Sequence, residues 1–228
     1  MRAIVLAAGR GERMRPLTDT VPKPLLTVAG RSLLEHHLYR LAAVGVTDVL
    51  INTSWLASQV ISAIGSGHRF GLRVVFSHEP PGALETLGAI RQALPWLGSE
   101  PFWLVNGDVY SDFDFATYSA DDYPALLAGI VVVPNPNHKP SGDFSVVDGL
   151  ARRLPTPAPT YTYAGLGWYR PAMFAETEPG RAPLAPLLFR TADTARLGAT
   201  VHHGRWDDVG TPERLDTLRR WLDTVPRP

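Results

Sequence analysis

Through its first half the chain alternates short, fully apolar runs with segments of helical periodicity, and this alternation restricts the fold more than any other feature. Ala3 to Leu6 is apolar throughout and runs into a glycine-containing segment, the pattern of a buried parallel strand followed by a loop. Ser32-Leu33-Leu34-Glu35 is a capping box. Leu33, Leu34, His37, Leu38 and Leu41 then recur at helical spacing, and Gly45 supplies the stop. Val49 to Asn52 reads as a second strand, Leu56 to Ile64 as an amphipathic helix ending near Gly65, and Arg73 to Phe76 as a third strand. Thr86 to Leu94 reads as a helix halted by Pro95, and Phe102 to Asn106 as a further strand. Such spacing builds βαβ units, hence a mostly parallel sheet with helices on both faces, a Rossmann-like three-layer α/β/α arrangement. Ligands bind such sheets at the carboxyl ends of the strands. The segments after Leu6 and after Asn106 both fall there.

The second half is less regular. Ala125 to Val133 is expected to be a long strand, and Pro134 to Gly142 a loop rich in proline and asparagine. Asp143 to Val147 and Tyr161 to Tyr169 read as strands separated by the proline-rich stretch Leu154 to Pro159. Strands in succession without helices predict an antiparallel part lying over the sheet. A closing helix is expected from Pro212 to about Leu222, with Thr211 as its N-cap. No repeat and no linker divides the 228 residues, which suffice for one well-buried domain spanning 1–228.

Composition narrows the function. Lys plus Arg and Asp plus Glu each number 22, so the neutral total argues against nucleic-acid or membrane partners. The absence of cysteine excludes disulfides, thiol catalysis and cysteine metal sites. The first apolar run is too short for a signal peptide or a membrane span, so a cytoplasmic protein is expected. The histidines lack metal-site spacing and read as surface or core residues, and the tryptophans do not interleave with basic residues. Of the 22 lysines and arginines only Lys23 and Lys139 are lysines, so a lysine kept in this chain is expected to be chemically required.

Several segments carry candidate chemistry. In Leu6-Ala7-Ala8-Gly9-Arg10-Gly11-Glu12-Arg13-Met14-Arg15-Pro16, glycines let a backbone approach phosphate, and Arg13 and Arg15 can neutralise charge. A dinucleotide fingerprint needs a third glycine where Met14 stands, and no G-K-[ST] follows; a tight turn explains the cluster alone equally well. In Pro22-Lys23-Pro24 the prolines fix the backbone so that the lysine is aimed. Asn106-Gly107-Asp108 puts a carboxylate at the sheet's binding edge, where Mg²⁺ takes one or two carboxylates plus phosphates and water; a simple turn is the alternative. Asp207-Asp208-Val209-Gly210-Thr211-Pro212 fits a helix start with acidic residues before the dipole. Leu84-Glu85-Thr86 likewise fits an ordinary helix N-terminus.

Leu6 to Pro16 followed by Pro22-Lys23-Pro24 resembles the sugar-phosphate nucleotidyltransferase family, whose signature is L-A-A-G-x-G-x-R-[ML]-x-P and then P-K-P. The resemblance implies a GT-A-like nucleotidyltransferase core with a small antiparallel sugar-binding part. It assigns the triphosphate loop to Leu6, Ala7, Ala8, Gly9 and Gly11, and catalysis to Arg13 and Lys23. Asp208, in the family's D-[VI]-G-T-P segment, shares Mg²⁺ with Asp108, while Asp207 stays outside the metal. Glu85, Thr86, Gly88 and Asn106 line the nucleotide pocket, and Asp143 and Gly165 meet the sugar. Where the family carries Thr-Gly-Gly-Gly, this chain has Thr86-Leu87-Gly88-Ala89, which is expected to put bulk near that pocket. The chain resembles most a compact branch that joins UTP to N-acetylmuramate 1-phosphate in cell-wall recycling, and the reading implies a monomer. Guanylyl transfer to mannose 1-phosphate, thymidylyl transfer to glucose 1-phosphate and a catalytically dead nucleotide-sugar sensor are the alternatives. In the implied reaction a sugar-phosphate oxygen attacks the α-phosphorus in line and pyrophosphate leaves. That oxygen is already anionic near neutral pH, so no general base is required.

Overall fold

The computed structural model describes residues 1–80, 84–155 and 158–224. Its strands are β1 (Arg2–Leu6), β2 (Thr27–Val28), β3 (Arg31–Ser32), β4 (Asp48–Thr53), β5 (Arg73–His78), β6 (Phe102–Asn106), β7 (Val109–Ser111), β8 (Ala128–Pro134), β9 (Phe144–Val147), β10 (Leu150–Arg153), β11 (Thr160–Tyr169), β12 (Leu197–Val201) and β13 (Trp206–Asp208). The helices are α1 (Leu17–Thr20), α2 (Leu33–Ala43), α3 (Ala57–Ile64), α4 (Glu85–Leu97), α5 (Ala185–Asp193) and α6 (Pro212–Thr224). The main sheet runs β5-β4-β1-β6-β11-β8-β12-β10-β9. β5, β4, β1 and β6 are mutually parallel, and β11 joins β6 antiparallel.

Alternation along β1 sorts the core into layers. Ala3 and Val5 pack with Leu34, Leu38 and Leu41 of α2 and with Val60 and Ile64 of α3. Ile4 faces the other way, toward Ile90, Ala93 and Leu97 of α4 and Leu187 and Leu188 of α5. A third cluster joins Met14, Leu33 and Tyr110 to Val209 and to Leu215, Leu218 and Leu222 of α6, tying the C-terminal helix to the loop after β1. The capping box at Ser32 and Glu35 forms in both directions, and Gly45 takes φ 81 just past α2.

Three expectations need correction. The antiparallel strands do not lie over the sheet: β11, β8, β10 and β9 extend it edge to edge, and β9 pairs with both β10 and β11. Pro95 does not halt α4, which continues to Leu97 because that side chain is 2% exposed in the core and Gly98 N–H closes on Leu94 O at 3.1 Å. Strand β10 and the α5–β12 pair, for which no element is expected, form a hairpin with β9 and a parallel crossover beside β8. The middle of the proline-rich stretch Leu154 to Pro159 lies outside the described residues.

Candidate active site

The glycine-rich loop leaves β1 at the carboxyl edge of the sheet. Gly11 takes φ 69, and a Cβ there would lie 3.0 Å from Thr18 Cγ2 and 3.3 Å from Lys23 Cβ, so both conformation and space require glycine. No heavy atom lies within 4 Å of where a Gly9 Cβ would stand, which leaves the backbone open to a ligand. The prolines hold Lys23 in a 3₁₀ turn closed by Leu25 N–H donating to Pro22 O at 2.8 Å and Leu26 N–H to Lys23 O at 3.1 Å. That turn buries the lysine to 8% exposure and sends Nζ to Asp108 Oδ2 at 2.5 Å. Arg13 is exposed, and among the described residues its guanidinium makes no hydrogen bond or ion pair.

Asp108 follows β6 across Gly107, whose N–H donates to Leu6 O at 2.8 Å. Asp208 arrives on β13, which pairs antiparallel with β7 and sets Asp208 opposite Val109. Val209 N–H donates to Asp108 O at 3.1 Å, so two carboxylates remote in sequence share one two-stranded ribbon. Successive side chains of a strand point to opposite faces. Asp207 accordingly turns to Arg205 at 2.5 Å, and burial raises its carboxyl above the usual range despite that cation. Asp208 Oδ1 accepts from Arg214 at 2.6 Å, and Oδ2 lies 3.1 Å from His138 Nε2. Thr211 caps α6, its Oγ1 accepting from Arg214 N–H at 3.4 Å, which fixes the turn carrying that arginine.

A cavity of about 380 Å³ opens beside the loop. Leu6, Ala7, Ala8, Gly9, Gly11, Arg13 and Lys23 form one wall; Asn106 and Asp108 lie at the end of β6; Glu85 and Thr86 come from the start of α4. Glu12, Met14, Pro24, Asn52, Glu79 and Gly210 complete the lining. Asp208 is two residues from Gly210 but is not itself in the lining. Gly88 also stands apart, because its missing Cβ makes room for the Gly180 carbonyl. The bulk of Leu87 goes into the core with Ile4 and Leu50, and Ala89 is buried at 4%, so neither fills the cavity. Asp143 Oδ2 accepts from Lys139 Nζ at 2.6 Å and from Tyr163 N–H at 2.9 Å. Gly165, at φ 75 beside the bulge of β11, lies under the Asn106 amide, which a Cβ would meet at 2.6 Å.

Four residues of this region carry no functional signal in the sequence. Asn52 ends a recognised strand, and Arg214 lies in the first turn of a recognised helix, so their positions were legible although their partners were not. Glu79 and His138 sit in loops with no local pattern. No group of three or more His, Asp or Glu side chains suited to a metal occurs among the described residues. Asp108 in the cavity lining and Asp208 beside Gly210 at its rim nevertheless suit Mg²⁺, which takes one or two carboxylates and fills its remaining positions with phosphate oxygens and water. Both carboxylates face cations here, Lys23 and Arg214, as hard anionic donors do.

The model of the nucleotidyl transferase family matches residues 2–148, well over half the chain. The chain belongs to the nucleotidyl transferase family. An N-acetylmuramate alpha-1-phosphate uridylyltransferase from Neisseria meningitidis is 48% identical over 94% of this chain and 95% of its own length. The protein of that name from Caulobacter vibrioides is 33% identical over 92% of each chain. A Xenopus laevis mannose-1-phosphate guanyltransferase beta-B is 37% identical over 93% of this chain, but the match spans 62% of that longer protein. Among solved structures, a Bacillus anthracis chain described as a glucose-1-phosphate thymidylyltransferase superposes with a TM-score of 0.87 at 21% identity, covering 100% of this chain and 98% of that one. This likeness establishes the α/β fold, and family membership makes the chain a nucleotidyltransferase. No helix among the described residues is long and apolar enough to cross a membrane.

Proposed function

We propose that this nucleotidyltransferase joins UTP to N-acetylmuramate 1-phosphate, giving the UDP-sugar and pyrophosphate. The observation that carries the substrate is the match to the Neisseria meningitidis uridylyltransferase along nearly the full length of both chains, against partial coverage of the longer guanylyltransferase. The glycine-rich loop wraps the triphosphate, with backbone N–H groups and Arg13 toward its oxygens. Lys23, fixed by its prolines, stabilises charge at the phosphorus under attack. An oxygen of the sugar phosphate bonds to the α-phosphorus, the bond from that phosphorus to the bridging oxygen breaks, and pyrophosphate departs. No side chain has to remove a proton. Asp108 and Asp208 would hold Mg²⁺, which when bound neutralises phosphate charge. Glu85, Thr86 and Asn106 belong on this reading to the nucleotide's base and ribose end, with Gly88 serving only the packing behind it, and Asp143 and Gly165 to the sugar's. The whole of 1–228 acts as one domain, a monomeric cytoplasmic enzyme of peptidoglycan recycling.

The metal assignment is tested by Asp108→Asn and Asp208→Asn. Each should lower turnover at least 100-fold at saturating Mg²⁺ while leaving the thermal transition in place. Turnover within threefold of the parent in either variant overturns the assignment.

A further inference from the structure

A buried carboxylate outside the chemistry just described ties the two walls of the cavity together. Glu79 follows β5 and is 1% exposed, and among the described residues it has no ion-pair partner. Its Oε1 accepts from Asn52 Nδ2 at 2.7 Å, and its Oε2 accepts from Leu84 N–H at 2.9 Å. Asn52 Oδ1 in turn accepts from Ala7 N–H at 2.5 Å. Glu79 N–H donates to Thr53 O at 2.8 Å, which fixes the backbone carrying the carboxylate. One chain of hydrogen bonds thus links the first residue of the glycine-rich loop, the end of β4 and the residue that opens α4.

The polarity of this chain is forced. Ala7 N–H is a donor, so Asn52 must present its oxygen there and its NH₂ to Glu79. Leu84 N–H is a second donor on the same carboxyl group. Only a group that accepts at both oxygens satisfies both partners. Glutamine, of the same shape, would set its NH₂ against one of these donors. Turning Asn52 over to accommodate that NH₂ would face its own NH₂ toward Ala7 N–H. The link also bears on strained backbone. Glu85, next after Leu84, takes φ 58, which a non-glycine residue keeps only when its surroundings hold it. Ala7, Glu85 and Thr86 all line the cavity.

We propose that Glu79 and Asn52 are positioning residues for the nucleotide. Their hydrogen-bond chain sets the separation between the glycine-rich loop and the start of α4, and so the nucleotide affinity of the enzyme, without touching the reacting phosphorus. The inference rests on the reading of the cavity as the nucleotide site.

A charge-swap cycle tests it. Glu79→Gln and Asn52→Asp each break the polarity: the first sets an amide against a donor, the second sets two carboxylates together. The double variant Asn52→Asp/Glu79→Gln restores it. The carboxylate now at position 52 accepts from Ala7 N–H and from the side-chain amide now at position 79, whose oxygen accepts from Leu84 N–H. In nucleotide-free protein, amide hydrogen exchange at Ala7, at Leu84 or at both should quicken about tenfold or more in each single variant and return to within about twofold of the parent in the double. With turnover measured by pyrophosphate release, KM for the nucleoside triphosphate should rise about tenfold in the singles, with kcat within threefold, and recover in the double. A double variant as impaired as Glu79→Gln, or one that does not fold, overturns the proposal, because the carboxylate at position 79 is then needed for itself. A Glu79→Gln variant with parental exchange and KM overturns it as well. If Glu79→Gln alone fails to fold, the double decides in the same way. A parent enzyme that releases no pyrophosphate from any nucleoside triphosphate would sink the functional reading, while the exchange cycle would still judge the network.

Discussion

Gly165→Ala perturbs the site from behind. The residue sits in β11 at φ 75, a backbone that an alanine adopts at about 1–2 kcal/mol. Its Cβ would stand 2.6 Å from Asn106 Nδ2, 2.8 Å from Cγ and 2.9 Å from Cβ, and such contacts within a packed sheet cost about 1–3 kcal/mol more. The sum is about 2–5 kcal/mol. For a chain of this size each kcal/mol moves the thermal midpoint by roughly 2–4 °C, so the variant should melt about 4–20 °C lower. Strain is relieved most readily by moving the Asn106 side chain, which lines the cavity beside Asp108, so KM for the nucleotide should rise about tenfold. Calorimetry or thermal fluorescence reads the first effect and initial-rate kinetics the second. A midpoint within about 2 °C of the parent with an unchanged KM would refute the reasoning. A change confined to the KM for the sugar phosphate would instead make Gly165 a sugar contact.

Gly9→Ala should do the opposite, because no heavy atom lies within 4 Å of the added methyl: stability stays within about 1 kcal/mol while nucleotide KM rises about tenfold, and an unchanged KM would remove the loop from the nucleotide. Lys23→Ala should lower kcat by about 100- to 1,000-fold, more than it weakens binding; a loss confined to apparent affinity would make the lysine a binding group only. His37 is 1% exposed, donates from Nε2 to Val109 O at 2.8 Å, and is brought down from 6.5 to about 4 chiefly by burial. Its folded value lies below its unfolded one, so its share of stability is whole above about pH 6.5 and is lost as pH falls toward 4. That share is on the order of 3 kcal/mol. Urea midpoints at pH 7 and pH 4.5 should therefore converge in His37→Gln relative to the parent, and an equal decline in both proteins would contradict this.

What could be read in the sequence was what short-range patterns encode. The capping box at Ser32, the apolar runs of β1 and β6 and the proline-flanked Lys23 each act within a few residues, and each takes the expected form. The neighbourhood of Asp108 and Asp208 depends on the pairing of β7 with β13, and no local pattern in either short strand specifies it. Strand β12 was hidden by Gly198, which weakens a strand pattern. It is glycine because the Tyr118 hydroxyl would lie 2.6 Å from a Cβ. Helix α5 has Leu184 as its N-cap, which offers no side-chain hydrogen bond, and so carries no start signal beyond Pro186. The bulk expected from Leu87 near the pocket turned inward, because the face of α4 carrying Leu87, Ile90 and Leu97 is the one that meets the sheet.

The most direct test of the account is pyrophosphate release in Mg²⁺ with UTP, GTP, dTTP and ATP, each against N-acetylmuramate 1-phosphate, mannose 1-phosphate and glucose 1-phosphate. UTP with N-acetylmuramate 1-phosphate should give the highest kcat/KM by at least about 100-fold. A higher value for GTP with mannose 1-phosphate, or for dTTP with glucose 1-phosphate, would contradict it.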